Sequence, residues 1–275
     1  MSPRTPSLGT VQETLLIPLY GRAVEHRKPE PALRDPRAEE LVAALDYDFS
    51  RFDGLPSLTG TVLRTVLFDH WTRQFLDEHP AGTVVEIGTG LNTRYERVDN
   101  GRAHWFDLDL PDVIELRRAF FPETARRRMI AASLTDDDWL DAVAGRADGP
   151  CFFSAEAVLP FLEEDEVRRL AERLARRFPG SRLALDSNSP EVVAAQDGHD
   201  ALSKVEARLR WACADIGVVT TWLPGIAVAG SHTLADLPED VYLALPAEHR
   251  RTIDDLARQR LPQVEGYRMH LLRLP

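Results

Sequence analysis

Lysine and cysteine are both scarce in this sequence. Lys28 and Lys204 are its two lysines, so nearly all of its positive charge is carried by arginine. The two cysteines, Cys151 and Cys213, lie in apolar or helix-like segments and have no metal-ligand spacing. Free cysteine is among the most buried residue types, and it persists as a thiol in reducing compartments. We therefore expect two buried free thiols and no metal site.

Long apolar runs are also missing. No stretch reaches the length of about 18 apolar residues that marks a helix able to cross a bilayer. The opening residues, MSPRTPSLGT, contain no apolar segment of the kind that a secretory signal carries. These two absences predict a cytoplasmic protein without a membrane partner.

Basic residues are outnumbered by acidic ones. The chain has 33 lysines and arginines against 44 aspartates and glutamates, which gives a net charge of −11 at pH 7. Such a surface repels a phosphate backbone, so we expect no nucleic-acid partner. At 275 residues the chain can bury a substantial core.

The most informative stretch is TVVEIGTGLNTRYER, residues 83–97. A run of β-prone residues at 83–87 leads into Gly88-Thr89-Gly90, and a helix-compatible segment follows. A strand, a glycine turn and a helix start are where α/β proteins hold nucleotide-like ligands. Glycine lets the backbone turn tightly and approach a ligand closely. The stretch therefore predicts a ligand site at Gly88 and Gly90.

The residues around the turn narrow the choice of ligand. The dinucleotide pattern G-x-G-x-x-G needs a third small residue, and this sequence has Thr93 there. Glu86, just before the turn, would repel a pyrophosphate but attract a cation. Asp109 ends the next apolar segment, at the distance where an acid binds ribose hydroxyls. A cationic, ribose-bearing cofactor without phosphates indicates S-adenosylmethionine, while a structural turn and an NAD-type oxidoreductase remain alternatives.

Strands and helices alternate from residue 83 onward, which indicates a largely parallel sheet covered by helices on both faces. Several helices precede the first strand. We therefore predict an N-terminal helical cap that does not fold alone, residues 1–55, and an α/β domain, residues 56–275. The predicted elements include helices over 38–52, 61–79 and 199–217, and strands over 151–162 and 267–274.

Four segments together resemble the leucine carboxyl methyltransferase family, and within it the bacterial polyketide O-methyltransferases. They are TVLRTVLFD, EIGTGLNTR, FDLDLPDVIELRR and AEAVLPFL. The resemblance runs from about Glu13 to the C-terminus. It implies a class I methyltransferase fold, Rossmann-like, with a largely parallel seven-stranded sheet flanked by helices. It also implies an S-adenosylmethionine-dependent O-methyltransferase that acts on a carboxylate or phenolic hydroxyl of a small molecule, such as a polyketide or other natural-product intermediate.

The resemblance also implies cofactor contacts by position. Arg64 matches the arginine that pairs with the methionyl carboxylate, a contact that suits its planar fork. Asp109, which directly precedes Leu110-Pro111, matches the ribose-binding acid. Glu156 matches a glutamate that faces the amino-acid end of the cofactor or the reacting centre. A surface position for Arg64 and a bland core position for Glu156 are the alternatives.

Further positions belong to the same implied cofactor site. Gly88 and Gly90 match the cofactor turn, with Glu86 beside it. Ser133 and Leu134 stand where other members have Asp-Leu near the adenine, so the hydroxyl of Ser133 would replace a carboxylate. Thr93 and Arg94 also match the family turn, where Arg94 has the alternative role of bracing the helix.

Acceptor contacts are predicted at two places. In the cap, Tyr20 is assigned with Glu156 to catalysis, and Arg22 is assigned to an anionic acceptor, with cap-to-core packing as the alternative. Ser187 and Asn188 follow the fifth predicted strand, at the edge where ligands lie, although such residues are also common in turns. An inactive relative that still binds the cofactor is a further alternative. Three lone histidines are weaker candidates for a general base: His70, His199 and His232.

Overall fold

The computed structural model describes residues 4–275, which form twelve α-helices and seven strands. The strands are β1 Thr83–Ile87, β2 His104–Asp109, β3 Arg127–Ala131, β4 Cys151–Ala155, β5 Arg182–Asn188, β6 Ala227–His232 and β7 Tyr267–Arg273. The helices are α1 Leu16–His26, α2 Pro36–Ala44, α3 Pro56–Glu78, α4 Arg94–Val98, α5 Pro111–Arg118, α6 Asp138–Ala144, α7 Glu164–Arg177, α8 Pro190–Ala194, α9 Val219–Trp222, α10 Glu239–Ala244, α11 Ala247–Gln259 and α12 Pro262–Glu265.

All seven strands form one sheet, in the order β3-β2-β1-β4-β5-β7-β6. The pairs among β1 to β5 are parallel, and β7 runs antiparallel to both of its neighbours. The predicted class I methyltransferase fold is therefore confirmed. The strand order reverses between β1 and β4, and open α/β sheets bind ligands in the crevice at such a switch point.

Strand alternation sets which side chains of β1 face the candidate site. Val85 and Ile87 belong to the apolar cluster that α6 and α7 cover, while Val84 belongs to the cluster under α3. Because successive side chains of a strand point to opposite faces, Glu86 lies on the same face as Val84. The sheet thus directs a carboxylate toward α3 and α4.

The N-terminal segment, residues 4–55 of the described chain, shares its core with the α/β body. Helix α1 packs against α2 and α3. Its apolar residues Leu16, Leu19 and Tyr20 lie in one cluster with Leu91 and Ile114 of the body. The packing is consistent with a docked segment, and its role as a cap remains a prediction.

The prediction of a helix over residues 199–217 is wrong. The structure has a short 3₁₀ turn at Leu202–Lys204, followed by an extended segment. In that segment the buried residues alternate with more exposed ones, at positions 205, 207, 209, 211 and 213. This is the period of an extended chain and not of a helix. The segment joins the site edge, where Cys213 N donates to Asn188 O (2.8 Å).

Two other predicted elements are shorter than expected. The strand predicted over 151–162 ends at Ala155, and Glu156 lies in the turn that follows. The helix predicted over 38–52 ends at Ala44 and is followed by a 3₁₀ turn at Phe49–Phe52. Because β4 ends at Ala155, the direction of the Glu156 side chain is not set by the alternation of side chains along the strand.

Both cysteines are buried free thiols, as predicted. Burial raises the pKa of Cys151 to about 12 and that of Cys213 to about 11. Across residues 4–275, no helix combines the length and the apolar character that a membrane crossing requires.

Candidate functional site

The glycine turn after β1 has the backbone geometry that its sequence predicts. Gly88 and Gly90 have φ angles of +62° and +49°, in the region that side chains disfavour. A Cβ atom on Gly88 would lie 2.4 Å from Val158 Cγ2, and one on Gly90 would lie 3.1 Å from Leu15 Cβ. The turn is therefore wedged between the loop after β4 and the N-terminal segment.

Arg94 joins the carboxylates on the α3 side of this turn. Its side chain is fully buried, and it donates to Asp69 Oδ1 (2.8 Å), Glu86 Oε2 (2.6 Å) and Ser154 Oγ (2.9 Å), and also to Glu156 Oε2. Burial alone would lower the pKa of Arg94, but these carboxylates raise it above its usual value. A buried charge of this kind persists because it is paired on every side.

Glu86 has one oxygen that remains available. Its Oε1 is buried and has no hydrogen-bond partner among the described residues, while Oε2 is bound by Arg94. Burial raises the pKa of Glu86, and Arg94 offsets part of that effect. Buried acceptors in native proteins nearly always have a partner. The free oxygen thus indicates a place for a donor that belongs to a ligand.

Arg64 on α3 is paired with Glu156 in the turn after β4. Arg64 Nε donates to Glu156 Oε1 (2.9 Å), as does Thr65 Oγ1 (2.8 Å). Burial would raise the pKa of Glu156, but the guanidinium groups of Arg64 and Arg94 hold it at about 2. Glu156 is therefore ionised at neutral pH, and it cannot serve as a proton donor there.

Asp109 lies at the end of β2 and holds the glycine turn. Its Oδ2 accepts from Gly90 N (2.7 Å), and its Oδ1 accepts from Leu110 N (2.8 Å). Burial raises the pKa of Asp109 to about 6. Asp107, by contrast, is bound by Arg117 and Arg127, and its Oδ1 accepts from the Thr89 hydroxyl inside the turn (3.3 Å).

Ser133 and Leu134 follow β3 and form a turn of their own. Ser133 N donates to Asp136 Oδ2 (3.1 Å), its hydroxyl lies 2.7 Å from Thr135 Oγ1, and Leu134 O accepts from Arg173 Nη2 (2.6 Å). No hydrogen bond within residues 4–275 ties the Ser133 hydroxyl to the glycine turn.

The predicted acceptor residues lie on separate elements. The Tyr20 hydroxyl donates to Asp53, and its ring stacks on Phe49. Arg22 is buried, and it donates to Asp35 Oδ2 (3.0 Å) and to Leu91 O (2.8 Å) directly after the glycine turn. Arg22 therefore braces the turn in this structure.

At the end of β5, the Ser187 hydroxyl lies 2.9 Å from His270 Nε2, and Asn188 O accepts from Cys213 N. The three histidine candidates lie elsewhere. His70 pairs with Asp240 (3.5 Å), His199 with Asp200 (3.1 Å), and His232 Nδ1 lies 3.0 Å from Asp236 O. None of these contacts involves a predicted cofactor residue.

Some residues of the site were not singled out from the sequence. Asp35 and Asp69 are buried partners of the site arginines, and Asp186 and Tyr267 contact Arg64. Asp186 directly precedes Ser187 at the carboxyl end of β5, so the sequence could have indicated it as a site residue in the same way. Tyr267 had no such signal, because antiparallel pairing brings it in from the last strand. Within the described chain, no cluster of three or more potential metal ligands occurs.

Comparison with known proteins places this sequence in a family. The leucine carboxyl methyltransferase family model matches residues 16–175. The tetracenomycin polyketide synthesis O-methyltransferase TcmP of Streptomyces glaucescens is 34% identical over 85% of this chain and 87% of its own. The S-adenosyl-L-methionine-dependent methyltransferase dpfgK of Gibberella zeae is 32% identical over 64% of each chain.

A solved structure of another protein has a similar fold. A DUF574 family protein from Streptomyces avermitilis superposes with a TM-score of 0.59, over 94% of this chain and 97% of its own, at 14% identity. That likeness concerns the fold, whereas the family match rests on sequence and spans more than half of the chain. The chain belongs to the leucine carboxyl methyltransferase family.

Proposed function

We propose that this protein is an S-adenosylmethionine-dependent O-methyltransferase. The observation that carries the proposal is the presence of two polar atoms without a hydrogen-bond partner in the described chain. One is on Arg64 of α3 and one on Glu86 just before the glycine turn, and the two residues are connected through Glu156 and Arg94. Arg64 Nη2 and Glu86 Oε1 have no hydrogen-bond partners among residues 4–275. The cofactor's amino-acid part carries a carboxylate and an ammonium group, which require one cationic and one anionic partner.

The remaining cofactor groups also have partners of suitable chemistry. Asp109 at the turn would accept from ribose hydroxyls, and Gly88 and Gly90 let the backbone approach the ligand. Ser133 and Leu134 lie past the end of β3 and would flank the adenine. Glu156 would face the amino-acid end of the cofactor from between Arg64 and Arg94.

The charge of the site favours a cation. Nine charged side chains, each at most a tenth exposed, form one ion-paired network with one more carboxylate than arginine. S-adenosylmethionine has one net positive charge at neutral pH, from its sulfonium, ammonium and carboxylate groups. The two charges are complementary, which strengthens binding in a poorly solvated site. The network members are Arg22, Asp35, Arg64, Asp69, Glu86, Arg94, Arg97, Glu156 and Asp186.

For the reaction, the bound cofactor supplies an electrophilic methyl group on a sulfonium. The chain's task is to hold an acceptor oxygen in line with that methyl group and to exclude water. Glu156, ionised at neutral pH, would stabilise positive charge at the cofactor and could not act as an acid. A carboxylate acceptor needs no base, whereas a phenol with a pKa of about 10 would benefit from one.

We assign the acceptor side to the N-terminal segment, as a cap over residues 56–275. Tyr20 and Arg22 of α1 would line it, with Ser187 and Asn188 at the end of β5. Tyr20 would position the acceptor oxygen and would not act as a base, because burial and its bond to Asp53 raise its pKa and keep the hydroxyl protonated at neutral pH. The similarity to an enzyme of tetracenomycin polyketide synthesis supports a polyketide or other natural-product intermediate as acceptor.

A transfer assay tests the proposal. The protein would be incubated with methyl-labelled S-adenosylmethionine and aromatic acids that carry both a carboxyl and a phenolic hydroxyl group. Labelled methanol released by mild alkali indicates a carboxyl methyl ester, and alkali-stable label indicates a phenol ether. Binding of the cofactor without transfer to any oxygen acceptor would favour an inactive relative instead.

A further inference from the structure

Asp186 on β5 and Tyr267 on β7 lie beside Arg64. The antiparallel register pairs Tyr267 with Asn188, which places the first residue of β7 at the carboxyl end of β5. The Tyr267 hydroxyl donates to Asp186 Oδ2 (2.6 Å) and accepts from Arg64 Nη1 (3.3 Å). Arg64 Nη1 itself lies 4.0 Å from Asp186 Oδ2.

These contacts fix the orientation of the Arg64 guanidinium. Nε is bound to Glu156 and Nη1 to the Tyr267 hydroxyl, so the planar group is held at two points. Nη2 is left without a hydrogen-bond partner in the described part of the chain. Without the Tyr267 hydroxyl, Nη1 would be free to turn toward the Asp186 carboxylate.

Asp186 also holds the turn that carries Glu156. Its Oδ1 accepts from Ala157 N (2.8 Å), and Ala157 has a φ of +57°. Residues other than glycine seldom adopt this left-handed conformation, and it persists where the surroundings enforce it. One carboxylate therefore fixes both Tyr267 and the residue next to Glu156.

We propose that Tyr267 and Asp186 form a positioning pair that directs Arg64 Nη2 at the carboxylate of the bound cofactor. The inference rests on the proposed function, because it requires a cofactor with an amino-acid part. Neither residue touches the reacting atoms. Their effect passes through Arg64 and is specific to ligands that carry that carboxylate.

The Tyr267→Phe variant tests this with two ligands measured by calorimetry. S-adenosylhomocysteine has the amino-acid part, and 5′-deoxy-5′-methylthioadenosine has the adenosine and the sulfur but no carboxylate. We expect affinity for the first to fall about tenfold, since a hydrogen bond that positions a charged group is lost. Affinity for the second should stay within about twofold, inside the variation expected of a neutral substitution.

Two further variants control the test. Tyr242→Phe on α10 removes another hydroxyl that donates to an aspartate, Asp254 (2.9 Å), and should change neither affinity. Asp186→Asn leaves one amide oxygen for two donors, the Tyr267 hydroxyl and Ala157 N, and it should reproduce the selective loss if Tyr267→Phe does not fold.

The outcomes separate this inference from the proposed function. Equal weakening of both ligands, or unchanged binding of both in folded variants, would overturn the positioning role while the wild type still binds S-adenosylhomocysteine. Failure of the wild type to bind S-adenosylhomocysteine would overturn the proposed function, and this inference with it.

Discussion

The guanidinium group of Arg64 is bound at Nε and Nη1, and Nη2 has no partner in the described chain. Glu156 and Tyr267 bind Nε and Nη1, and the residue is 8% exposed. The residue as a whole is largely buried, so a carboxylate that reaches Nη2 would form a charge-assisted hydrogen bond at the edge of a poorly solvated place. Such bonds are worth more than their solvent-exposed equivalents.

Replacing Arg64 should therefore weaken cofactor binding. We expect Arg64→Ala to reduce S-adenosylhomocysteine affinity by about 1.5–3 kcal/mol, the usual range for a hydrogen bond to a charged group. The variant should fold, because Glu156 keeps Arg94 and Thr65 as partners. Arg168→Ala, on the exposed face of α7, is the matched control. Unchanged affinity in folded Arg64→Ala would contradict the assignment.

The raised pKa of Asp109 leads us to expect that cofactor binding depends on pH. Burial raises its pKa to about 6, and the hydrogen bonds from Gly90 N and Leu110 N oppose that rise. The carboxylate is the form that accepts from ribose hydroxyls, so affinity should fall as the pH decreases below about 6. The dissociation constant would rise up to about tenfold per pH unit, the limit for one coupled proton. Calorimetry between pH 5 and 8, chosen to span about one unit or more on either side of that pKa, would show the slope.

Asp109→Asn provides the comparison for that slope. It should bind S-adenosylhomocysteine more weakly at about pH 7.5, well above the raised pKa of Asp109, and lose most of the slope below that pKa of about 6. An identical slope in the variant would assign the proton to another group, such as Glu86, whose pKa burial also raises.

Single charged residues in apolar surroundings were the part of the site that the sequence could reveal. Glu86 inside a β-prone run and Glu156 within FFSAEAVLPFL are costly to bury without a partner, and this made them noticeable. Their partners were not predictable in the same way. Asp69 is one of several polar residues of α3, and its pairing with Arg94 and Arg97 follows from tertiary packing.

At the scale of elements, the turn between β1 and α4 depends on glycine. Gly88→Ala should destabilise the fold by about 1–2 kcal/mol from the left-handed backbone alone, with a further cost from the contact with Val158. Urea unfolding would measure the loss. Gly198→Ala, where nothing lies within 4 Å of the added methyl group, should stay within about 0.5 kcal/mol. Equal effects at both glycines would contradict the strained turn.

Some segments of the sequence fit one type of secondary structure, and others fit both a helix and an extended chain. The strands β1 and β2 were predictable because their β-prone residues end at glycine or just before proline, whereas β4 was predicted at its start but not at its end. Residues 199–217 have charged and apolar residues in an order that also fits a helix. Their buried positions alternate in the structure because the segment pairs with β5 through Asn188. That pairing is set by the sheet, and no local pattern in the sequence specifies it.

At the scale of the whole molecule, the ion-paired network ties α1, α2, α3 and α4 to the loop after β4 and to β5. Arg94 is its centre, since it contacts three carboxylates. Removing one partner of a buried ion pair leaves an uncompensated charge, which costs about 3–5 kcal/mol. We therefore expect Arg94→Met to lose that much stability in urea unfolding.

Arg177→Met is the matched comparison for the network. Arg177 also pairs with an aspartate, Asp141, but both side chains are exposed. Exposed ion pairs contribute up to about 1 kcal/mol, so this variant should be nearly as stable as the wild type. Similar losses in both variants would show that the network does not organise the fold.

The identity of the cofactor is tested most directly by titrating the wild-type protein in a calorimeter with S-adenosylhomocysteine and, separately, with NADH. The glycine turn with Glu86, Arg64 and Asp109 around it predicts saturable binding of S-adenosylhomocysteine and no heat of binding with NADH. Binding of NADH together with no binding of S-adenosylhomocysteine would contradict the proposed methyltransferase activity.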